Sequence, residues 1–125
     1  MRRSFLVAGP LLLATLGAEA GPVAIAWDRN QHHEQRLSIE AGGVVELCGR
    51  LPAGAKVRWE FEVDAPVNFN VHYHEAKAVH FPAREDNTRR ASGQLVAAIG
   101  QDYCWMWTSK NAAPAALSVR LTREP

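Results

Sequence analysis

Two histidines stand two residues apart in a segment whose apolar and polar residues alternate. Within residues 67–74, His72 and His74 continue the polar series begun by Asn68 and Asn70. Residues two apart on an extended strand point to the same face, with Cα atoms about 6–7 Å apart. Two imidazoles at this spacing can chelate one metal ion, and imidazole suits copper, zinc or nickel. The pattern predicts a metal site, and a solvated polar face that happens to contain histidine is the alternative.

A third histidine, His80, falls on the next predicted strand, in residues 79–81. If the hairpin register sets His74 opposite His80, all three histidines share one face. A register shifted by one residue turns His80 to the other face. Glu75 and Met106 are further candidate ligands, and copper or zinc is the expected ion.

The chain contains two cysteines, Cys48 and Cys104. In a protein sent to an oxidising compartment, such a pair predicts one disulfide that closes a long loop. A pair of metal-binding or reactive thiols is the alternative. Neither cysteine belongs to a Cys-x-x-Cys motif, so the sequence gives no support for redox catalysis.

The N-terminal residues predict export. A short basic start, Arg2-Arg3, precedes residues 5–18, which are apolar apart from Thr15 and too short to cross a bilayer comfortably. Ala18-Glu19-Ala20 then offers the small-x-small pattern at which signal peptidases cut. The two arginines also resemble a twin-arginine signal, but little basic sequence precedes them, and we favour the general secretory route.

We therefore expect residues 1–20 to be a secretory signal peptide and residues 21–125 to be one mature domain, periplasmic or extracellular. A chain of 125 residues allows a single ordinary domain. Lys and Arg number 14 against 13 Asp and Glu, so the chain lacks the basic charge expected of a nucleic-acid-binding protein. We expect no membrane span in the mature domain.

Alternation of apolar and polar residues indicates strands along most of the mature chain. It is strict in residues 57–63 and 67–74 and recurs in 103–108 and 117–122. A period of two is typical of half-buried antiparallel strands. Short strands separated by turn residues predict an all-β fold, an antiparallel β-sandwich of about eight short strands.

Three segments are predicted to interrupt these strands. Asp64-Ala65-Pro66 has the composition of a turn, and Pro82 is expected to end the strand before it. The highly charged residues 84–90 are expected to form a solvated loop or one helical turn. On the aromatic strand, Trp105 and Trp107 are expected to pack in the core rather than form a platform for a carbohydrate.

The order of these segments resembles the GOLD domain, the jelly-roll-like β-sandwich of the p24 family of Golgi cargo receptors and related proteins. The resemblance spans roughly residues 35–123. It rests on a strand with Cys48, Trp59-Glu60-Phe61, Val67 to Tyr73, Ser92 to Ala97, the aromatic strand Tyr103 to Ser109 and a final Leu-x-Val-x-Leu strand. The resemblance implies a β-sandwich with a generic role in binding a protein or a ligand, and it supplies no catalytic residues.

The p24 pattern joins a cysteine on an early strand to one on the aromatic strand, which would pair Cys48 with Cys104. Here Cys104 follows Tyr103 directly, whereas the cysteine of the family lies two positions further along, on the same face of the strand. No coiled-coil or transmembrane pattern follows Thr122. We therefore expect a soluble, exported bacterial version of this fold rather than a membrane cargo receptor.

The expected function is that of an exported binding or accessory module without catalysis. No Gly-x-Ser-x-Gly, phosphate-binding or His-Glu-x-x-His motif occurs in the sequence. The partner would be a protein or a small ligand. The alternative function is a small metal-binding protein that uses His72, His74 and His80, and a third is an assembly partner with no small ligand.

Overall fold

The computed structural model describes residues 21–125, and every regular element in that part of the chain is a β-strand. The predicted signal peptide, residues 1–20, lies outside the described residues. The strands are β1 (Val23–Ala24), β2 (His32–Ile39), β3 (Val44–Leu51), β4 (Lys56–Glu75), β5 (Ala78–Val96), β6 (Gln101–Thr108) and β7 (Ala115–Arg123). The predicted all-β fold is confirmed, with seven strands in the described residues where about eight were expected.

The strands form one curled sheet in the order β1-β3-β6-β4-β7-β2, with β5 paired to β4. All pairs are antiparallel except β1 with β3. The first half of β4 pairs with β7 and its second half pairs with β6. The sheet thus has two wings joined at β4, and their inner faces enclose a single core.

β4 bends where it passes from one wing to the other. Its pairing with β5 shifts between Glu62 and Val67, which is the position of the predicted turn at residues 64–66. The predicted turn was wrong, because hydrogen bonds from other segments satisfy polar groups of residues 64–66 while the strand continues. Asn111 donates from Nδ2 to the carbonyl of Pro66 at 2.9 Å, and Arg89 donates to the carbonyl of Asp64 at 3.3 Å. The carboxylate of Asp64 in turn accepts a hydrogen bond from the N–H of Ala116 at 2.8 Å. A strand of 20 residues therefore replaces two predicted strands.

β5 continues through both segments where sequence predicted an interruption. It pairs only with β4 among the described strands, so its outer edge requires no hydrogen-bond donor from Pro82. At Pro82 the strand bulges, since Phe81 and Pro82 together lie opposite one residue of β4. The charged residues 84–90 are also extended, because side chains on an edge strand can point into water, and charge there discourages pairing with other chains.

Aromatic side chains fill the core between the wings. Trp105 and Trp107 are fully buried, so the prediction that they pack in the core is confirmed. The rings of Phe61 and Trp107 meet edge to face with centroids 5.6 Å apart, which joins the first half of β4 to β6. Trp59 lies opposite Gly93 of β5, and a Cβ atom at Gly93 would stand 2.6 Å from the indole.

Candidate functional site

The residues predicted to carry chemistry collect on the outer face of the wing formed by β3, β6, the second half of β4 and the start of β5. We call this surface the histidine face. Its members are Glu46 and Cys48 of β3, Cys104 and Met106 of β6, Asn70, His72 and His74 of β4, and Phe81 of β5. They face outward because their chain neighbours, such as Leu47, Trp105 and Val71, point into the core.

His72 lies at the centre of this face and is only 6% exposed. Its Nδ1 lies 2.8 Å from the amide oxygen of Asn70, and its Nε2 lies 3.3 Å from a carboxylate oxygen of Glu46. The bulge in β5 brings the ring of Phe81 to 6.1 Å from the imidazole, between ring centroids. The predicted face is right, but His72 is not part of a solvated surface, because these neighbours cover the ring.

Burial lowers the pKa of His72 below its ordinary value, because the charged imidazolium loses solvation. The carboxylate of Glu46 opposes this effect by favouring the charged form, and the nearby His74 adds to the lowering. The lowered pKa favours the neutral imidazole, the form that can bind a metal ion.

His74 lies beside His72 on the same face and is exposed. The two rings are 5.4 Å apart between centroids, in agreement with the shared face that the two-residue spacing predicted, and their planes are nearly perpendicular. These two imidazoles are the part of the predicted three-histidine site that the structure brings together.

His80 does not join them. It lies opposite Tyr73 rather than His74, and its ring stacks on the tyrosine with centroids 4.9 Å apart. Glu75 pairs directly with Ala78, so Ala76 and Lys77 alone connect the two strands and fix this register. Of the two registers considered, the structure has the one that turns His80 to the other face, and the three histidines do not share a face.

The turn between β4 and β5 explains why this register was hard to predict. Ala76 adopts a φ of 53°, in the left-handed region that favours glycine or asparagine. Neither residue occurs in the connection, so the sequence carried no signal for a two-residue turn.

Cys48 and Cys104 lie directly opposite each other on β3 and β6 and are joined by a disulfide. This is the pairing that the sequence led us to expect. Both residues are partly exposed on the histidine face. One nitrogen of His72, one carboxylate oxygen of Glu46 and the sulfur of Cys104 all lie within 4.8 Å of one another.

Glu46 is the member of this cluster that sequence reasoning missed. A signal for it did exist, since Glu46 is the one charged residue within the otherwise apolar residues 44–48 and stands two positions before Cys48. That spacing puts its carboxylate on the same face as the cysteine.

The edge of the histidine face carries exposed apolar side chains. Phe81 is 45% exposed and Val79 is 42% exposed, both on β5. The guanidinium of Arg84 lies over the ring of Phe81, 4.4 Å from its centroid. An aromatic ring paired with an arginine on an otherwise polar surface is the kind of feature that protein interfaces use.

These features define the chain as a small, disulfide-bonded all-β sandwich with a histidine-containing outer face. Among the described residues, no helix is long and apolar enough to cross a membrane. No protein-family model matches the sequence, and no curated protein sequence matches it either. The GOLD resemblance therefore stays a prediction.

Solved structures do resemble the fold. PliG of Aeromonas hydrophila, a periplasmic inhibitor of g-type lysozyme, matches with a TM-score of 0.67 and 14% identity, over 82% of this chain and 96% of that one. PliG of Salmonella Typhimurium, also a periplasmic inhibitor of g-type lysozyme, matches with a TM-score of 0.58 and 12% identity, over 83% and 100%. The mitogen of Yersinia pseudotuberculosis matches with a TM-score of 0.58 and 12% identity, over 73% and 84%. At these identities the likeness concerns the fold.

Proposed function

We propose that this chain is an exported, non-catalytic module that binds another protein, and that a g-type lysozyme is the first partner to test. The observation that carries the proposal is the likeness of the fold to two periplasmic lysozyme inhibitors over nearly their whole length. The predicted signal peptide supports an exported location. The GOLD resemblance, if it reflects ancestry, leads to the same general role.

The surface that we assign to the partner is the edge of the histidine face around Phe81. Its exposed ring and the arginine packed on it supply an apolar contact with a charged rim. Such side chains contribute most of the binding energy at many interfaces. The bulge formed by Phe81 and Pro82 sets the position of the ring relative to the sheet.

Binding is tested with the purified mature protein and a g-type lysozyme, by calorimetry and by lysozyme activity on cell walls. We expect binding and inhibition, and a loss of affinity of about tenfold or more for Phe81→Ala, as for a typical interface hot spot. Val96→Ala is the matched control, because Val96 is also exposed, at 53%, but lies at the far end of β5. The absence of both binding and inhibition would overturn the lysozyme assignment.

The exported location has its own test. We expect the mature protein to begin at Gly21 after cleavage behind Ala20. N-terminal sequencing of protein recovered from the periplasm or medium measures this directly. A mature protein that retains Met1 would contradict the export proposal.

Metal binding is a second candidate function, favoured by the neighbouring rings of His72 and His74 and by the carboxylate beside them. Titration of the disulfide-bonded protein with Cu(II) or Zn(II) tests it. We expect the double variant His72→Asn, His74→Asn to lose binding and His80→Asn to keep it, because His80 lies on the other face. If the unaltered protein binds neither ion at micromolar concentration, this candidate fails.

A further inference from the structure

The disulfide lies within the group of metal-binding atoms on the histidine face. The sulfur of Cys104, a nitrogen of His72 and an oxygen of Glu46 are mutually within 4.8 Å. While the disulfide is intact, the sulfur is bonded to Cys48 and is not a thiolate, the form of cysteine that binds metals. Reduction would therefore change the donor set at this place from nitrogen and oxygen to nitrogen, oxygen and sulfur.

The two non-sulfur donors already stand at the separation that two ligands of one zinc ion require. Nε2 of His72 and Oε1 of Glu46 are 3.3 Å apart. Bond lengths of about 2.0–2.2 Å to a tetrahedral zinc ion separate such a nitrogen and oxygen by about 3.3–3.5 Å. Asn70 contacts the other ring nitrogen, Nδ1, at 2.8 Å and so fixes the imidazole with Nε2 toward Glu46.

The backbone would hold the sulfur donors close to this pair after reduction. Cys48 and Cys104 are opposite residues of β3 and β6, with Cα atoms 4.2 Å apart. The ladder on either side of them keeps the two strands in place. Two thiolates, an imidazole and a carboxylate form a tetrahedral donor set of the type that selects zinc.

We propose that reduction of the Cys48–Cys104 disulfide creates a zinc site, in which Cys104, His72 and Glu46 bind the ion and Cys48 completes the set. The reductant is an external dithiol. Its two electrons and two protons break the S–S bond and give two thiols, while the dithiol becomes a disulfide. The thiols lose their protons when zinc binds. This site goes beyond the proposed protein-binding function and does not depend on it.

Cobalt(II) is the probe, because thiolate ligands give it a near-ultraviolet charge-transfer band that nitrogen and oxygen ligands do not. In this test a phosphine replaces the dithiol, because a dithiol would itself bind cobalt; the phosphine takes oxygen from water and becomes a phosphine oxide, while the disulfide gains two electrons and two protons. We expect the band in the reduced protein, in a 1:1 complex from which zinc displaces the cobalt. The oxidised protein should show no such band. A reduced protein without the band would overturn the proposal. The oxidised state separately tests the His72–His74 candidate, so the two failures are distinguishable.

Variants separate this site from nonspecific thiol binding. Cys48→Ser frees Cys104 without reductant and should retain a weaker, one-thiolate band, whereas Cys104→Ser should bind at least tenfold more weakly than the reduced unaltered protein. His72→Asn should weaken binding similarly, and His80→Asn should not. Equal binding by Cys104→Ser and the unaltered protein would contradict the assignment.

Loss of folding on reduction would not hide the answer. The fluorescence of the buried Trp105 and Trp107 reports the folded state before metal is added. If the reduced protein is unfolded, zinc should restore the folded fluorescence, because binding to a site formed only in the folded state stabilises that state. A reduced, unfolded chain that zinc does not refold would overturn the proposal.

Discussion

At the scale of single residues, His72 couples the stability of the protein to pH. Burial lowers its folded-state pKa below the ordinary value of about 6.5, so the unfolded chain takes up the proton more readily than the folded one. The stability that His72 contributes is fully present above about pH 6.5 and is lost as pH falls from there through the lower folded-state pKa. We expect the urea midpoint of the metal-free, disulfide-bonded protein to fall between pH 7.5 and 5.5.

A glutamine in place of His72 should remove that part of the pH dependence, because it cannot take up a proton in this range. His80→Asn is the control and should keep it, since the exposed ring of His80 lies on the other face. An identical change of midpoint with pH in His72→Gln and in the unaltered protein would show that other groups cause it.

At the scale of strands, the pairing of Gly93 with Trp59 depends on the missing side chain. A Cβ at Gly93 would lie 2.6 Å from the indole of a tryptophan that is nearly buried. We expect Gly93→Ala to reduce the free energy of unfolding by about 1–3 kcal/mol, the usual cost of overpacking. Gly100→Ala is the matched control, because its Cβ would meet its neighbours at ordinary contact distances of 3.8 Å or more. Equal denaturation midpoints for the two variants would contradict this account.

The sequence predicted strands wherever one side faces the core, since alternation records burial directly. Residues 57–63 and 67–74 are examples, and their inward residues are buried in the structure. Alternation failed for β5, which is exposed along most of its length and therefore has few positions at which burial selects apolar residues. It also could not show that the bend at residues 64–66 lies within one strand, because that depends on hydrogen bonds from distant residues.

For the candidate site, too, the sequence predicted which residues of one strand share a face but not which residues of other strands lie beside them. The shared face of His72 and His74 follows from the period of two alone. The position of His80 depends on a turn with no residue-type signal, and Glu46 comes from a strand whose pairing partner the local sequence does not specify. The information missing from the sequence was thus the register of the strands, both across the turn from β4 to β5 and between β3 and its partner β6.

At the scale of the whole molecule, one disulfide spans 56 residues and joins β3 to β6. In the chain-entropy model, closing a loop of this length stabilises the folded state by about 4 kcal/mol relative to the open chain. We expect the double variant Cys48→Ser, Cys104→Ser to lose stability of that order, measured by urea denaturation in the absence of metal. Treatment with a reductant should raise the intact mass of the unaltered protein by two hydrogens and leave that of the double variant unchanged. Equal stability of the two proteins would contradict the entropic account.

The pairing of β2 with β7 sets the order in which the molecule can form. β2 pairs with β7 from His32 opposite Thr122 to Ile39 opposite Ala115, so almost the whole described chain lies between the two strands. The first half of β4 also needs β7 as its neighbour. A ribosome supplies β7 last of the seven strands, and until then one wing lacks its central strand. That wing therefore cannot complete its native pairing until β7 has been synthesised, whereas β3, β4 and β6 can pair with one another earlier.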